Sequence, residues 1–310
     1  MRNSFADTFY ELSAKNDLLY LVVADISPAG SIEKFRNEFP NRFINTGVAE
    51  QIMIGMCAGL AQRGFRPFAY TIATFALFRP FEFIRNDLCY QNLPVTVVGI
   101  GGGINYSTLG TTHHAQEDIA LVSSLPNMKI IAPSDPLETK YATEWCANQN
   151  EGSPAYLRLG RAGEPNLTSD ALEPWIFGKF RKIKSGSDFA LITYGSIAKE
   201  VRIAHNELEL QGLSGDLYFV STLKPIDKVT IYEILDKHKK VFVVEEHISF
   251  GGLADRIKLL AFEKKWDGKL IARTLPMSFQ HIYGDQSCLY KENLLDSYSI
   301  SNMIKESLNS

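Results

Sequence analysis

Five short, largely apolar runs, Leu18–Ala24, Arg42–Thr46, Pro67–Thr71, Val95–Ile100 and Met128–Ala132, punctuate the first half of the chain, with helical spacing between them. Strands that are apolar along their length are buried on both faces, and their alternation with helices leads to a parallel α/β sheet. Val48 to Arg63 has the length and apolar spacing of one such helix, and Gly64 stands where a C-terminal cap would. A second helix is expected to start around Phe78 to Phe81, and a third runs from Pro136 to Asn148 behind a Pro-Ser-Asp turn. The rhythm breaks between Arg161 and Gly178, where Gly163, Pro165, Asn166 and Pro174 replace periodic residues. It resumes with strands at Phe189–Thr193, Gly215–Val220 and Lys240–Val244 and helices at Ala198–Gln211 and Gly252–Glu263. The expected fold class is α/β, with mostly parallel sheets flanked by helices in two domains, residues 1–162 and a smaller 181–310, joined by a linker at 163–180.

A chain of 310 residues is long enough for two cores, and 45% hydrophobic with 22% charged residues is ordinary for a globular protein. A net charge of −3 gives no general attraction to nucleic acid. Met1 to Asp7 carries no apolar core of a secretory signal, and no run of about 18 apolar residues occurs, so no membrane partner is expected and the cytoplasm is the expected location. Cys57, Cys89, Cys146 and Cys288 are too far apart for the close pairs of zinc sites or redox dithiols, and reduced, mostly buried thiols are expected.

Three segments have the residue types that carry chemistry. In Asn45-Thr46-Gly47-Val48-Ala49-Glu50-Gln51 a strand ends in a glycine turn and Glu50 falls in the first turn of a helix. A carboxylate there complements the helix dipole, and the carboxyl end of a parallel strand is also where α/β folds build ligand sites. Phe75, Phe78 and Phe81, at spacing three, fit either a core-facing helix stripe or a wall on which a flat ring stacks. Gly101-Gly102-Gly103, followed by Gly110-Thr111-Thr112-His113-His114-Ala115-Gln116-Glu117-Asp118, permits close backbone approach but has the spacing of neither a dinucleotide fingerprint nor a P-loop. Adjacent histidines point in different directions and no third ligand stands at a diagnostic spacing, so no metal ligand is assigned.

Taken in order, Gly-Val-Ala-Glu-Gln, the Arg-Pro-Phe strand, the aromatic Thr-Phe segment, the glycine-rich loop, Gly-x-Thr-His, Leu-Pro-Asn-Met and Pro-Ser-Asp resemble the pyrimidine-binding domain of the transketolase family, its deoxyxylulose-phosphate synthase branch included. Glu245-Glu246-His247 followed by Gly251-Gly252-Leu253 resembles a turn of the family's C-terminal domain, so the resemblance covers nearly the whole chain. It implies a thiamine diphosphate enzyme in which the glutamate matching Glu50 hydrogen-bonds the aminopyrimidine and drives the tautomer that takes the thiazolium proton. Phe75, Phe78 and Phe81 match the ring-stacking segment, with Phe78 as the face-on partner, and they are expected to supply the apolar surroundings that a proton-sharing glutamate needs. His113 matches the histidine that handles substrate hydroxyl protons, and a neutral imidazole suits that role. Arg161 matches an arginine that holds a sugar phosphate, and Arg2 resembles another.

Three positions depart from the family pattern. Leu109 stands where many transketolases have an aspartate that reads a substrate hydroxyl, Gly101 replaces a histidine, and Ala29 replaces a phosphate-contacting serine. No Gly-Asp-Gly, the family's magnesium and diphosphate motif, occurs in the chain. The resemblance therefore implies one half of a split enzyme: this chain, a separate N-terminal transketolase-like subunit carrying the magnesium and diphosphate site, and an α2β2 assembly. The implied reaction moves a two-carbon ketol unit between sugar or sugar-phosphate substrates. Alternatives are the β subunit of a 2-oxo acid dehydrogenase E1 component and a deoxyxylulose-phosphate-synthase-like carboligase; the Gly-Thr-Thr-His loop and Arg161 favour the sugar enzyme.

Overall fold

The computed structural model describes residues 1–26, 30–149 and 152–309, so the Ala29 position lies outside the described residues. The first half supplies six strands, β1 (Leu19–Val23), β2 (Phe43–Asn45), β3 (Arg66–Ile72), β4 (Thr96–Ile100), β5 (Lys129–Ile131) and β6 (Ala155–Leu159), all paired in parallel. Around them run α1 (Arg2–Ser13), α2 (Ser31–Glu38), α3 (Glu50–Gln62), α4 (Ala73–Leu77), α5 (Phe81–Phe83), α6 (Asp118–Ser123) and α7 (Pro136–Asn148). The second half contains β7 (Arg181–Lys184), β8 (Phe189–Thr193), β9 (Gly215–Phe219), β10 (Thr222–Lys224), β11 (Lys240–Ile248) and β12 (Lys269–Leu275). Its helices are α8 (Ala198–Leu210), α9 (Lys228–Lys237), α10 (Leu253–Glu263), α11 (Gln286–Glu292) and α12 (Ser297–Asn309).

The larger sheet has the order β10-β5-β6-β4-β3-β1-β2 and the smaller one β12-β11-β8-β9-β7. The α/β class with mostly parallel sheets is therefore the fold observed. β10 was not expected: it follows the second half's β9 in the chain yet pairs antiparallel with β5, Thr222 opposite Ile131, and so extends the first sheet. Three residues with one apolar side chain carry no strand signal of their own. Only the exposed edge of β5 makes Thr-Leu-Lys a strand.

Pro133-Ser134-Asp135 has a local and a long-range role. Asp135 caps α7 by accepting the Glu138 N–H at 2.7 Å, and Glu138 in turn accepts the Ser134 N–H at 3.0 Å. The second Asp135 oxygen accepts N–H groups of Leu167 and Thr168 at 2.7 and 2.8 Å, fastening the irregular chain that leaves β6. Glu138 also receives Ser221 Oγ at 2.5 Å and Arg181 at 3.3 Å from the second half. One helix N-terminus thus joins both halves.

Candidate active site

β2 ends at Asn45, Gly47 turns the chain at a φ of 69°, and α3 starts at Glu50. The buried face of α3 runs through Met53, Ile54, Cys57, Ala58 and Ala61, so helical register carries Glu50 inward with it, 2% exposed. The carboxylate borders a cavity of about 380 Å³ at the carboxyl ends of β1 and β3, lined also by Arg2, Asp25, Thr71, Phe75, Arg79 and Tyr106. This is where parallel α/β sheets present ligand sites. Arg79 donates to Glu50 Oε1 at 2.8 Å and lies 4.3 Å from the centroid of the Phe75 ring. The partner of Glu50 in this chain is therefore a guanidinium, whereas the resemblance implied apolar surroundings supplied by Phe75, Phe78 and Phe81.

Of the three aromatics only Phe75 lines the cavity. α4 ends at Leu77 and Pro80 precedes α5, so Phe75, Phe78 and Phe81 do not share one continuous helix. Phe78 is 37% exposed, and Phe81 is packed partly buried against the large core. His113 meets Phe75 edge-on, with ring centroids 5.1 Å apart. Burial, and then the charge of Arg79, lower the His113 pKa from its ordinary value, which keeps the imidazole neutral at physiological pH. Arg2, in the first turn of α1, reaches the same cavity and donates to the Tyr70 hydroxyl at 3.1 Å.

Leu109 and Arg161 lie away from this pocket. Leu109 is exposed at the end of a short 3₁₀ turn. Arg161 lines a neighbouring polar cavity of about 480 Å³ with Ser107, Thr108, Ser196 and Lys199. Tyr106 lines the first cavity while its chain neighbours Asn105 and Ser107 line the second, and its ring is 6.3 Å from that of His113 and 5.7 Å from the Arg161 guanidinium. Among the described residues no group of three or more His, Cys, Asp or Glu side chains could hold a metal ion. No helix among them is long and apolar enough to cross a membrane.

Comparison with known proteins gives the family. Residues 1–164 match the model of the transketolase pyrimidine-binding domain, and residues 178–300 match that of the transketolase C-terminal domain. The chain belongs to the transketolase family. It is 34% identical over 310 residues to a putative transketolase C-terminal section of Methanocaldococcus jannaschii, covering 99% of this chain and 96% of that one. It is 32% identical over 252 residues to an apulose-4-phosphate transketolase subunit of Phocaeicola vulgatus, covering 81% and 80%. A 1-deoxy-D-xylulose-5-phosphate synthase of Clostridium perfringens is 29% identical over 308 residues, and this chain spans only 49% of it. Among solved structures, a split-gene transketolase in the form of an inactive β4 tetramer superposes with a TM-score of 0.89 at 29% identity, covering 99% and 98%.

Within this transketolase-family chain the triple glycine has a reason that the sequence did not disclose. A Cβ on Gly101 would strike the Tyr106 ring, one on Gly102 would stand 2.6 Å from Arg158 Nε, and one on Gly103 would stand 2.6 Å from Glu246 Cδ. The loop is pressed against the protein's own side chains. Arg158, fully enclosed, donates to Asp118 at 2.8 Å and to the Glu246 carbonyl at 3.0 Å, while Tyr156 donates to the same Asp118 oxygen at 2.8 Å. Tyr106, Arg79, Arg158 and Glu246 are the residues that sequence reasoning left without a role. A visible signal did exist for Arg158: a charged residue inside an otherwise apolar strand requires a buried partner.

Proposed function

We propose that this chain is the C-terminal-half subunit of a two-subunit, thiamine diphosphate-dependent transketolase-like enzyme that transfers a two-carbon ketol unit between sugar or sugar-phosphate substrates. The observation that carries the reading is a buried Glu50 on the wall of a cavity whose rim includes Val48, 69% exposed, with Ile52 of the adjoining α3 also 58% exposed. A rim of this kind fits a second subunit that completes the site. The relatives named as a transketolase subunit and as a split-gene transketolase support the same division. The occupant of the rim is taken to be the subunit carrying the magnesium and diphosphate site, in an α2β2 assembly within the cytoplasm.

The residues fit the aminopyrimidine end of the cofactor. Glu50 offers a carboxylate, held by Arg79, and Phe75 offers a flat apolar ring on the wall of the same cavity. When bound, thiamine diphosphate supplies a carbon nucleophile that side chains lack. Glu50 would meet a ring nitrogen of the cofactor with Oε2, since Arg79 occupies Oε1. His113, neutral, takes or returns a substrate hydroxyl proton at Nε2, since Nδ1 meets Thr112 Oγ1 at 3.0 Å. Arg2 and Arg161 offer guanidinium groups to a substrate phosphate from the two cavities flanking Tyr106. A deoxyxylulose-phosphate-synthase-like carboligation is a second reading. Its support is the 29% identity over 308 residues to a 1-deoxy-D-xylulose-5-phosphate synthase.

Calorimetric titration with thiamine diphosphate and magnesium tests the division of the site. Weak binding to this chain alone, and stoichiometric binding with ketol transfer once a Gly-Asp-Gly-containing subunit is added, is the expected result. Tight stoichiometric binding by the isolated chain would overturn the two-subunit reading.

A further inference from the structure

The loop from Gly101 to His113 carries Tyr106 and His113 to the candidate site, and the second half of the molecule holds it at two places. Near its start, Glu246 Oε1 accepts the Ile104 N–H at 2.7 Å and Asn105 Nδ2 at 3.2 Å. Near its end, Thr111 donates to the Gln280 carbonyl, and a Cβ on Gly110 would lie 3.0 Å from the Tyr283 ring. β11 delivers Glu246 there because its last residues leave the second sheet's regular register and Ile248 N–H bonds to the Gln116 carbonyl at 2.9 Å. Glu245, the preceding residue, has a different task, accepting the Leu253 and Ala254 N–H groups at the start of α10.

We propose that Glu246 is a positioning residue: its carboxyl group seats the loop that bears Tyr106 and His113, and this seat opens as the pH rises through neutrality. The groups that face it come from every element packed around it. Asn105 and the Ile104 N–H come from the loop, Arg158 from β6, and Tyr290, which donates to Oε2 at 3.0 Å, from α11 together with Gln286. Glu200 acts on Tyr290, and Asp118 and Tyr194 act on Arg158.

Burial pushes the Glu246 pKa up to about 7, outweighing the Arg158 charge and the donors that would lower it. A carboxyl group released to water returns to about 4.3. The seated state therefore binds the proton more tightly than the open state. Its advantage is complete below the open-state pKa and is lost as pH rises through the seated one. Any effect on catalysis rests on the role proposed above for His113; the seat itself does not.

Amide hydrogen exchange of the purified chain, corrected for the intrinsic effect of pH, tests the seat without partner or cofactor. Between about pH 6 and about pH 8 the amides from 103 to 106 should exchange about tenfold faster at the higher pH, while those of β8 stay unchanged. Glu246→Gln, an uncharged isostere that still accepts the Ile104 N–H, should hold the slow rate throughout. Glu246→Ala should give the fast rate throughout, and should it fail to fold, the Gln variant alone decides. A pH response that persists in Glu246→Gln, or none in the wild type, overturns the proposal whether or not the assembled enzyme transfers ketol groups. Exchange as described, in a chain that transfers no ketol group even when assembled with a Gly-Asp-Gly-containing subunit, would uphold the seat and overturn the functional reading.

Discussion

The rim around Glu50 and the cluster around Arg158 each place a charged residue at the carboxyl ends of the same sheet, and they differ in what surrounds it. Arg158 is closed off by Asp118, Tyr156, Tyr194 and the Glu246 carbonyl, with both halves of the chain contributing. Glu50 is equally buried, but its partner Arg79 is 44% exposed, and Val48, Ile52 and Met56 beside it face outward. A buried ion pair that is satisfied on all sides specifies the fold, because removing one member strands the other. A buried carboxylate with a movable partner, next to uncovered apolar surface, is instead a group kept available. The difference separates what holds this molecule together from what it offers to others.

Three substitutions would break or sharpen that contrast. Glu50→Gln in the assembled enzyme should lower turnover by about 10²–10⁴, the usual contribution of a proton-transferring side chain, with the melting temperature of the chain little changed. Exchange of the thiazolium proton reports the step, and an undiminished rate would move the role to another carboxylate. Arg158→Ala should do the reverse, costing about 3–5 kcal/mol of stability in denaturant titration because Asp118 is left charged and enclosed. A loss below about 1 kcal/mol would show that the cluster is hydrated and that the contrast fails. Ile52→Asp should leave the stability of the chain within about 0.5 kcal/mol of wild type, since the side chain already faces outward. The same change should weaken association with the second subunit at least about tenfold, measured by sedimentation. Unchanged association would place the partner elsewhere on the surface.

How much of this was legible depended on distance along the chain. The helix from Pro136 to Asn148 and the strand Phe189–Thr193 were read at their observed bounds, and α3 within two residues, because period, cap and turn chemistry are local. Glu50 could be placed at a strand–helix junction for the same reason. The row Phe75, Phe78 and Phe81 misled because its spacing assumes one helix, and Pro80 divides it. α1 went unread although Phe5 and Phe9 form its buried face, and Arg2 reaches the cavity through that helix.

The sequence by itself determined that this chain would be a parallel α/β protein, and its ordered motifs were enough to identify the family. Tertiary structure alone decided that Thr222–Lys224 would complete the first sheet, that Arg79 would hold Glu50, and that Glu246 would meet Ile104 from 142 residues away. The physical reason is that periodicity records which face of an element is buried, whereas a hydrogen bond between distant residues leaves no period in either partner. Such pairings arise only when packed cores bring two edges into register, and a buried polar group left unpaired there would cost about 1–3 kcal/mol.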